Sequence, residues 1–184
     1  MSREQKPLTT LEWETHYGFP IRFIAGVDEV GRGCLAGPVV AAAVVLPPVV
    51  DFDRDPWLCE VTDSKALKPE RREVLMPLIQ AWAKAWAVGM ASPEEIDRFN
   101  IHGATHLAMR RAVEALSQRP DLAIIDGKFA PKGMSCTCVP IIKADLKCVS
   151  VACASIIAKV TRDKDMETLD EVYPGYGLAV HKGY

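Results

Sequence analysis

Apolar runs with few charges mark the strands that this sequence predicts. Residues 21–27 and 39–46 are largely apolar and rich in branched side chains, and the loop between them holds three glycines and Pro38. Neither run alternates between apolar and polar positions, so both are expected in a sheet that is covered on each face. Shorter apolar runs predict three more strands, at residues 86–90, 122–125 and 139–142.

Capped and amphipathic segments between these runs predict flanking helices. Pro69 occupies a first helical position, and residues 70–85 mix apolar and charged side chains, although Pro77 is expected to kink this helix. Ser92-Pro93-Glu94-Glu95 is a capping box and starts another helix. Two longer helices are predicted over residues 101–116 and 149–172. Because strands and helices alternate after an opening hairpin, we predict an α/β fold with a mixed central sheet rather than a bundle or barrel.

The length and composition fit one globular domain over residues 1–184. The chain is 49% hydrophobic and has no repeat, low-complexity tract or Gly/Ser linker, so no internal boundary is predicted. The first residues carry charges of both signs, and the apolar run 39–46 stops at two prolines. Neither a signal peptide nor a membrane span is therefore expected.

Cysteine usage and net charge limit the location and the partners of the protein. The six cysteines form no Cys-x-x-Cys pair, so we expect reduced thiols and a cytoplasmic location. A net charge of −2 argues against binding nucleic acid by bulk electrostatics. Local cation clusters remain available for that purpose, namely Lys65, Lys68, Arg71 and Arg72 in one group and Lys143 and Lys147 in another.

Acidic residues follow three of the predicted strands. Asp28 and Glu29 end the first run, and Asp126 and Asp145 follow the last two. Ligand sites in α/β sheets lie outside strand ends, so these four carboxylates are expected to converge. Adjacent strand residues point to opposite faces, so Glu29 can join Asp28 only if the chain already turns at Val30. Each acid taken singly is also an ordinary turn residue.

An all-oxygen cluster of this kind favours Mg²⁺ or Mn²⁺ and indicates phosphoryl transfer. Two such ions, about 4 Å apart, activate a water and stabilise the leaving oxygen in known enzymes. The segment Gly31-Arg32-Gly33 is no dinucleotide fingerprint, because a β-branched run follows it instead of a helix. His102 and His106 have the spacing of a zinc pair but lack the intervening glutamate, so ordinary helix-surface histidines are predicted.

Seven motifs in sequence order resemble bacterial ribonuclease HII, and the resemblance covers nearly everything from Ile24 onward. They are Asp28-Glu29-Val30-Gly31-Arg32-Gly33, Asp63-Ser64-Lys65, Asn100-Ile101 with Ala104-Thr105 and Ala108-Met109, Ile125-Asp126-Gly127, Lys143-Ala144-Asp145, the segment Ala154-Ser155-Ile156-Ile157-Ala158-Lys159-Val160-Thr161-Arg162-Asp163, and His181-Lys182-Gly183-Tyr184.

The resemblance implies a ribonuclease H-like fold and an endonuclease that acts in removing ribonucleotides and primers. Such enzymes cut RNA in RNA–DNA hybrids and cut 5′ to single ribonucleotides in duplex DNA, leaving 3′-hydroxyl and 5′-phosphate ends. It also implies Mn²⁺ or Mg²⁺ as cofactor. The implied metal ligands and catalytic residues are Asp28, Glu29, Asp126 and Asp145.

The resemblance also bears on residues that contact the substrate. In the family, the segment matching Gly31, Arg32 and Gly33 contacts the ribonucleotide 2′-hydroxyl, and the tyrosine matching Tyr184 stacks on the neighbouring deoxyribose. Lys65 and Lys143 are either phosphate contacts or solvated lysines. Asp163 either reaches the metals or pairs with Arg162 or Lys159, and the structural role is favoured.

One expectation departs from the family pattern, and others concern partners. Family members continue past the terminal tyrosine into a helical segment, so the sequence, ending at Tyr184, is expected to lack that extension. We expect a monomer that binds hybrids or ribonucleotide-containing DNA and no membrane. The alternatives are a protein that binds hybrids without cutting them and another nuclease of the same fold.

Overall fold

A five-stranded mixed sheet organises the part of the chain that the computed structural model describes, residues 8–184. Its strands are β1 (Ile24–Val30), β2 (Val39–Val45), β3 (Ala85–Ala91), β4 (Leu122–Asp126) and β5 (Thr137–Ile141). Their order across the sheet is β3-β2-β1-β4-β5. β2 runs antiparallel to both β1 and β3, whereas β1, β4 and β5 are parallel to one another. The carboxyl ends of β1, β4 and β5 therefore meet at one edge.

Helices cover both faces of this sheet, which confirms the predicted α/β class. They are α1 (Glu12–His16), α2 (Pro69–Trp82), α3 (Pro93–Glu114), α4 (Val149–Val172) and α5 (Leu178–His181). α3 packs on one face, α4 packs on the other, and α2 lies against α4. Short 3-10 turns occupy Pro56–Glu60, Ser64–Ala66 and Ala144–Leu146.

Close packing of α4 on the sheet depends on small residues, as the sequence indicated. Every residue of β2 is buried, so the expectation that this strand is covered on both faces is confirmed. At Gly26 in β1, an added Cβ would collide with the backbone of Ser150 and Val151 in α4. A side chain at this position would therefore push the helix off the strand that carries the acids.

The predicted position of β1 was wrong at both ends. The strand starts at Ile24 rather than at residue 21, because the amides of Ile21 and Arg22 donate to the Gly18 carbonyl and form a turn. It continues to Val30, which pairs with Val40 of β2. Antiparallel pairing with β2 thus holds Asp28 and Glu29 inside the strand.

Helix boundaries agree with the sequence where capping is strong. α4 spans residues 149–172 as predicted, and Ser92 forms the capping box of α3 with Glu95. Asn100 has non-helical backbone angles and splits α3 into the two helices that were predicted. α2 is one element that contains Pro77, and it ends at Trp82, earlier than predicted, because Lys84 pairs with Val45.

Two further findings concern the cell biology expected from the sequence. No helix between residues 8 and 184 is both long enough and apolar enough to cross a bilayer. All six cysteines lie in the described range, and none of them forms a disulfide.

Candidate active site

The four predicted acids all lie at the carboxyl edge of the parallel strands. Asp28 and Glu29 are the two residues before the last residue of β1, and Asp126 is the last residue of β4. Val27 pairs with Ile125, so the next residues along, Asp28 and Asp126, are neighbours across the two strands. Asp145 lies in the 3-10 turn that follows β5.

The side chains of Asp28 and Glu29 leave β1 on opposite faces. The turn at Val30 that would have brought them to one face is absent, because Val30 still pairs with Val40 in the strand. Asp28 is buried on the α4 face, where the Ser155 hydroxyl hydrogen-bonds to its carboxylate. Its Oδ1 also accepts the Glu29 amide at 2.7 Å. Glu29 instead lines a cleft on the α3 face, together with Asp126. The two acids therefore approach Asp126 from different sides.

Asp126 also organises the turn that carries Asp145. Its Oδ1 accepts the Ala144 amide at 2.7 Å, and the Gly127 amide donates to the Ile141 carbonyl at 3.0 Å. Lys143 has a left-handed backbone with φ of 56°, an uncommon conformation for a non-glycine residue. One carboxylate thus holds the chain reversal that places the next carboxylate beside it.

Burial, and after it repulsion from neighbouring acids, makes all four acids harder to ionise than free carboxylates. Burial raises the pKa of Asp28 well above its ordinary value, and the charges of Glu29 and Asp126 raise it further. Burial and then Asp126 raise the pKa of Glu29 and of Asp145. Burial also raises the pKa of Asp126. Asp126 is therefore the electrostatic neighbour of the other three acids.

Two cations partly offset this repulsion. Against the larger effect of burial, Lys65 lowers the pKa of Glu29, Asp126 and Asp145, and Arg32 lowers that of Glu29. Asp63 adds a further negative charge that raises the pKa of Asp126 and Asp145. Asp63 was not predicted to be a site residue, although it belongs to the motif Asp63-Ser64-Lys65.

A cleft of about 400 Å³ opens beside Glu29 and Asp126 on the α3 face. His102 and His106, predicted to be ordinary helix-surface histidines, lie on the surface of α3 and line this cleft. Arg32 Nη2 donates to His102 Nε2 at 2.9 Å, which links the glycine-flanked arginine to α3. The spacing of His102 and His106 can be read from the sequence, but the contact of His102 with Arg32 across the cleft cannot.

The 3-10 turn Ser64–Ala66, called the Lys65 turn below, is hydrogen-bonded to α4. The Ser155 hydroxyl lies 3.0 Å from that of Ser64, and Arg72 Nη1 donates to the Ser64 carbonyl at 2.9 Å. Asp163 joins this network through Lys159 Nζ at 2.7 Å and Arg72 Nη2 at 3.4 Å. The predicted pairing of Asp163 with Lys159 is present, whereas Arg162 bonds elsewhere.

The Gly31, Arg32 and Gly33 segment and Tyr184 lie on adjoining parts of the surface. Tyr184 is 59% exposed, and its phenol faces the thiol of Cys34. The Lys159 Nζ lies 5.9 Å from the centroid of the Tyr184 ring. Lys143 lines the cleft, whereas Tyr184 lies outside it, on the α4 side.

The donor chemistry of the site fits a hard divalent cation. Carboxylate oxygens are the ligands that Mg²⁺ and Mn²⁺ prefer, and a cation relieves the repulsion that adds to burial in raising the four pKa values. Among residues 8–184, however, no three His, Cys, Asp or Glu side chains are already arranged so that they could hold a metal ion. The acids are electrostatic neighbours that a cation would have to draw together.

Solved structures with the same fold define the class of protein. The ribonuclease H2 of Pyrococcus horikoshii OT3 is 31% identical, with a TM-score of 0.70 over 88% of this chain and 80% of that one. A Mn²⁺ complex of Bst-RNase HIII is 25% identical, with a TM-score of 0.69 over 85% of this chain and 56% of that one. The fold is therefore ribonuclease H-like.

Sequence comparisons identify the family within this class. The ribonuclease HII family model matches residues 25–184. Ribonuclease HII of Vibrio vulnificus (strain YJ016) is 48% identical over 183 residues, covering 100% of this chain and 83% of that protein. Ribonuclease HII of Nitrosococcus oceani is 51% identical over 161 residues, covering 88% and 77%. The chain belongs to the ribonuclease HII family and is a ribonuclease H endonuclease.

Proposed function

We propose that this enzyme cuts the RNA strand of RNA–DNA hybrids and cuts 5′ to single ribonucleotides embedded in duplex DNA. The observation that carries the proposal is the position of Asp126, which repels each of the other three acids at the shared strand edge. Such repulsion is costly unless cations occupy the site, and bound cations would in turn attract a substrate phosphate. Membership of the ribonuclease HII family supports the substrate class.

Asp28, Glu29, Asp126 and Asp145 would hold two divalent cations, either Mn²⁺ or Mg²⁺. When bound, the cations supply an activated water and stabilise the leaving oxygen of the phosphodiester. The protein contributes the buried walls of the site on the α4 face and the open cleft on the α3 face. The Ala144 amide, by donating to Asp126, keeps one carboxylate oriented while the strand edge accepts the substrate.

Gly31, Arg32 and Gly33 would recognise the 2′-hydroxyl, the group that distinguishes RNA from DNA at one nucleotide. Nothing lies within 4 Å of the position of a Cβ added at Gly33, which leaves its backbone open to a ligand. Arg32 is exposed and oriented by His102. Tyr184 presents a largely exposed ring on the same surface, where it would stack on the neighbouring deoxyribose.

The remaining proposals concern phosphate contacts and context. Lys65 and Lys143 border the acids on two sides, where they would contact the phosphates next to the scissile bond. We propose that residues 1–184 act as one catalytic domain, as a monomer in the cytoplasm, in ribonucleotide and primer removal.

Three labelled duplexes test this proposal: DNA with one ribonucleotide, a continuous RNA–DNA hybrid, and DNA alone. We expect cutting of the first two with Mn²⁺ or Mg²⁺ and no cutting in EDTA or of DNA alone. Binding without cutting in the presence of either metal would instead favour a hybrid-binding protein. Cutting of DNA alone would favour another nuclease of the same fold.

A further inference from the structure

Arg162 in α4 is buried away from the cleft, and all three of its guanidinium nitrogens donate to backbone carbonyls. Its side chain is 0% exposed. Nε donates to Pro38 at 2.9 Å, Nη2 to Ala36 at 2.9 Å and Nη1 to Lys182 at 2.7 Å. A buried charge is costly unless it is well hydrogen-bonded, and these bonds satisfy the planar fork of an arginine. Arg162 thus joins the loop after β1 to the segment that ends in Tyr184.

The backbone closes tightly around this guanidinium. Gly31 has φ of 100°, and a Cβ there would lie 2.6 Å from the Arg162 Nε. A Cβ at Gly37 would collide with the sulfur of Met166, one helical turn further along α4. Gly31 is the first residue of the Gly31–Gly33 segment that is proposed to contact the 2′-hydroxyl. The position of this segment is therefore set by the contact of Gly31 with Arg162.

The two segments also bond directly to each other. The Gly183 carbonyl accepts the amides of Leu35 at 2.8 Å and Ala36 at 3.3 Å. A Cβ at Gly183, where φ is 87°, would collide with the Ala36 carbonyl oxygen. The loop that carries Arg32 and the segment that carries Tyr184 therefore form a single block, with Arg162 inside it.

We propose that Arg162 is a positioning residue that sets substrate discrimination, by fixing the Gly31–Gly33 segment relative to Tyr184 so that both contact the same ribonucleotide junction. This inference rests on the proposed function. Arg162 itself is too deeply buried to touch a nucleic acid, and it contacts none of the four acids. Its effect is expected on where the enzyme cuts rather than on whether the acids can support cutting.

The expected consequence differs between substrates. A lone ribonucleotide has a deoxyribose beside it and needs both the 2′-hydroxyl contact and the Tyr184 contact, whereas a continuous hybrid has no such junction. We expect Arg162→Met to lower kcat on the lone ribonucleotide about tenfold more than on the hybrid, because small misplacements of contacts are costly. KM should change little, since the proposed phosphate contacts lie on other segments.

The test compares four variants with the wild type on both substrates. Arg162→Lys keeps the charge but loses the fork, so it should restore little of the selectivity. Gly183→Ala keeps Arg162 and disturbs the block from the other side, so it should shift selectivity in the same direction. Ile79→Ala is the matched control, since it truncates a buried α2 side chain and should lower stability without changing the ratio of the two rates.

A second readout needs neither metal nor substrate. Amide hydrogen exchange at Leu35 and Ala36 should lose protection in Arg162→Met and Gly183→Ala but not in Ile79→Ala. An Arg162→Met enzyme with the wild-type rate ratio and wild-type protection would overturn the inference, as would equal losses on both substrates. If Arg162→Met does not fold, Gly183→Ala decides by the same criteria. If the wild type cuts neither substrate, the proposed function fails, and the exchange experiment still tests the positioning role.

Discussion

Asp126 is the residue on which the chemistry of the candidate site depends most. It ends β4, accepts the Ala144 amide that shapes the next turn, and raises the pKa of Asp28, Glu29 and Asp145 through its charge. An acid that interacts with all the others is the most effective place to weaken a shared cation site. Asp121, the residue just before the same strand, is a second aspartate, and its contact is purely structural.

Replacing Asp126 by Asn should abolish metal-dependent cleavage. We expect a loss of about 10³-fold in kcat/KM, or roughly 4 kcal/mol of transition-state stabilisation, because a metal ligand is lost. The matched control is Asp121→Asn, immediately before β4. Asp121 Oδ2 accepts the Phe23 amide at 2.8 Å, far from the other acids along the strand. Turnover assays with Mn²⁺ check this, and near-normal turnover by Asp126→Asn would remove it from the metal site.

Several roles at the residue scale depend on contacts that sequence spacing does not reveal. Asp126 and Asp145 could be predicted because acids that follow parallel strands reach a common edge. Arg162 and Ser155 lie within a predicted helix, and their partners are 124 and 91 residues away. Only the packing of α4 on the loop after β1 and on the Ser64 turn brings these partners within hydrogen-bonding distance.

At the scale of elements, α4 connects the structural and the chemical parts of the molecule. One of its faces packs on β1 and β2, while its polar residues hold the Lys65 turn and the segment leading to Tyr184. Its bounds were predictable because a long run of small and apolar residues favours one buried helix. The short helices α1 and α5 were not predicted, since four or five residues carry too little periodicity.

Replacing Asp163 by Asn tests whether its place on α4 is structural. The change weakens a largely buried network with Lys159 and Arg72, so we expect a loss of about 2 to 4 kcal/mol in the free energy of unfolding. Cleavage below the unfolding transition should stay within about threefold, roughly 0.7 kcal/mol, of the wild type. Urea unfolding and turnover check the two expectations. A large loss of turnover with unchanged stability would show that Asp163 acts on the metals instead.

For the whole molecule, the acidic cluster links stability to pH and metal. Burial, followed by mutual repulsion, raises the folded-state pKa values of the acids above those of the unfolded chain. Their contribution to stability is therefore present below the unfolded values of 3.8 for Asp and 4.5 for Glu, and it is lost as pH rises through the folded values. A bound cation would reverse this trend by stabilising the ionised form.

Thermal unfolding at two pH values checks this linkage. In EDTA, Asp126→Asn should exceed the wild type in Tm by more at about pH 8 than at about pH 5, because the wild type must ionise a buried acid. Adding Mn²⁺ at the higher pH should raise the Tm of the wild type more than that of the variant. A wild-type Tm advantage in EDTA at both pH values would contradict the repulsion that we describe.

The position of the cut in a DNA duplex that contains one ribonucleotide tests the central claim most directly. With Mn²⁺, we expect one cut on the 5′ side of the ribonucleotide, leaving a 3′-hydroxyl and a 5′-phosphate. The cut should vanish when hydrogen replaces that single 2′-hydroxyl. A cut that persists without the 2′-hydroxyl, or no cut with metal present, would contradict a carboxylate site whose target is selected by the Gly31–Gly33 segment and Tyr184.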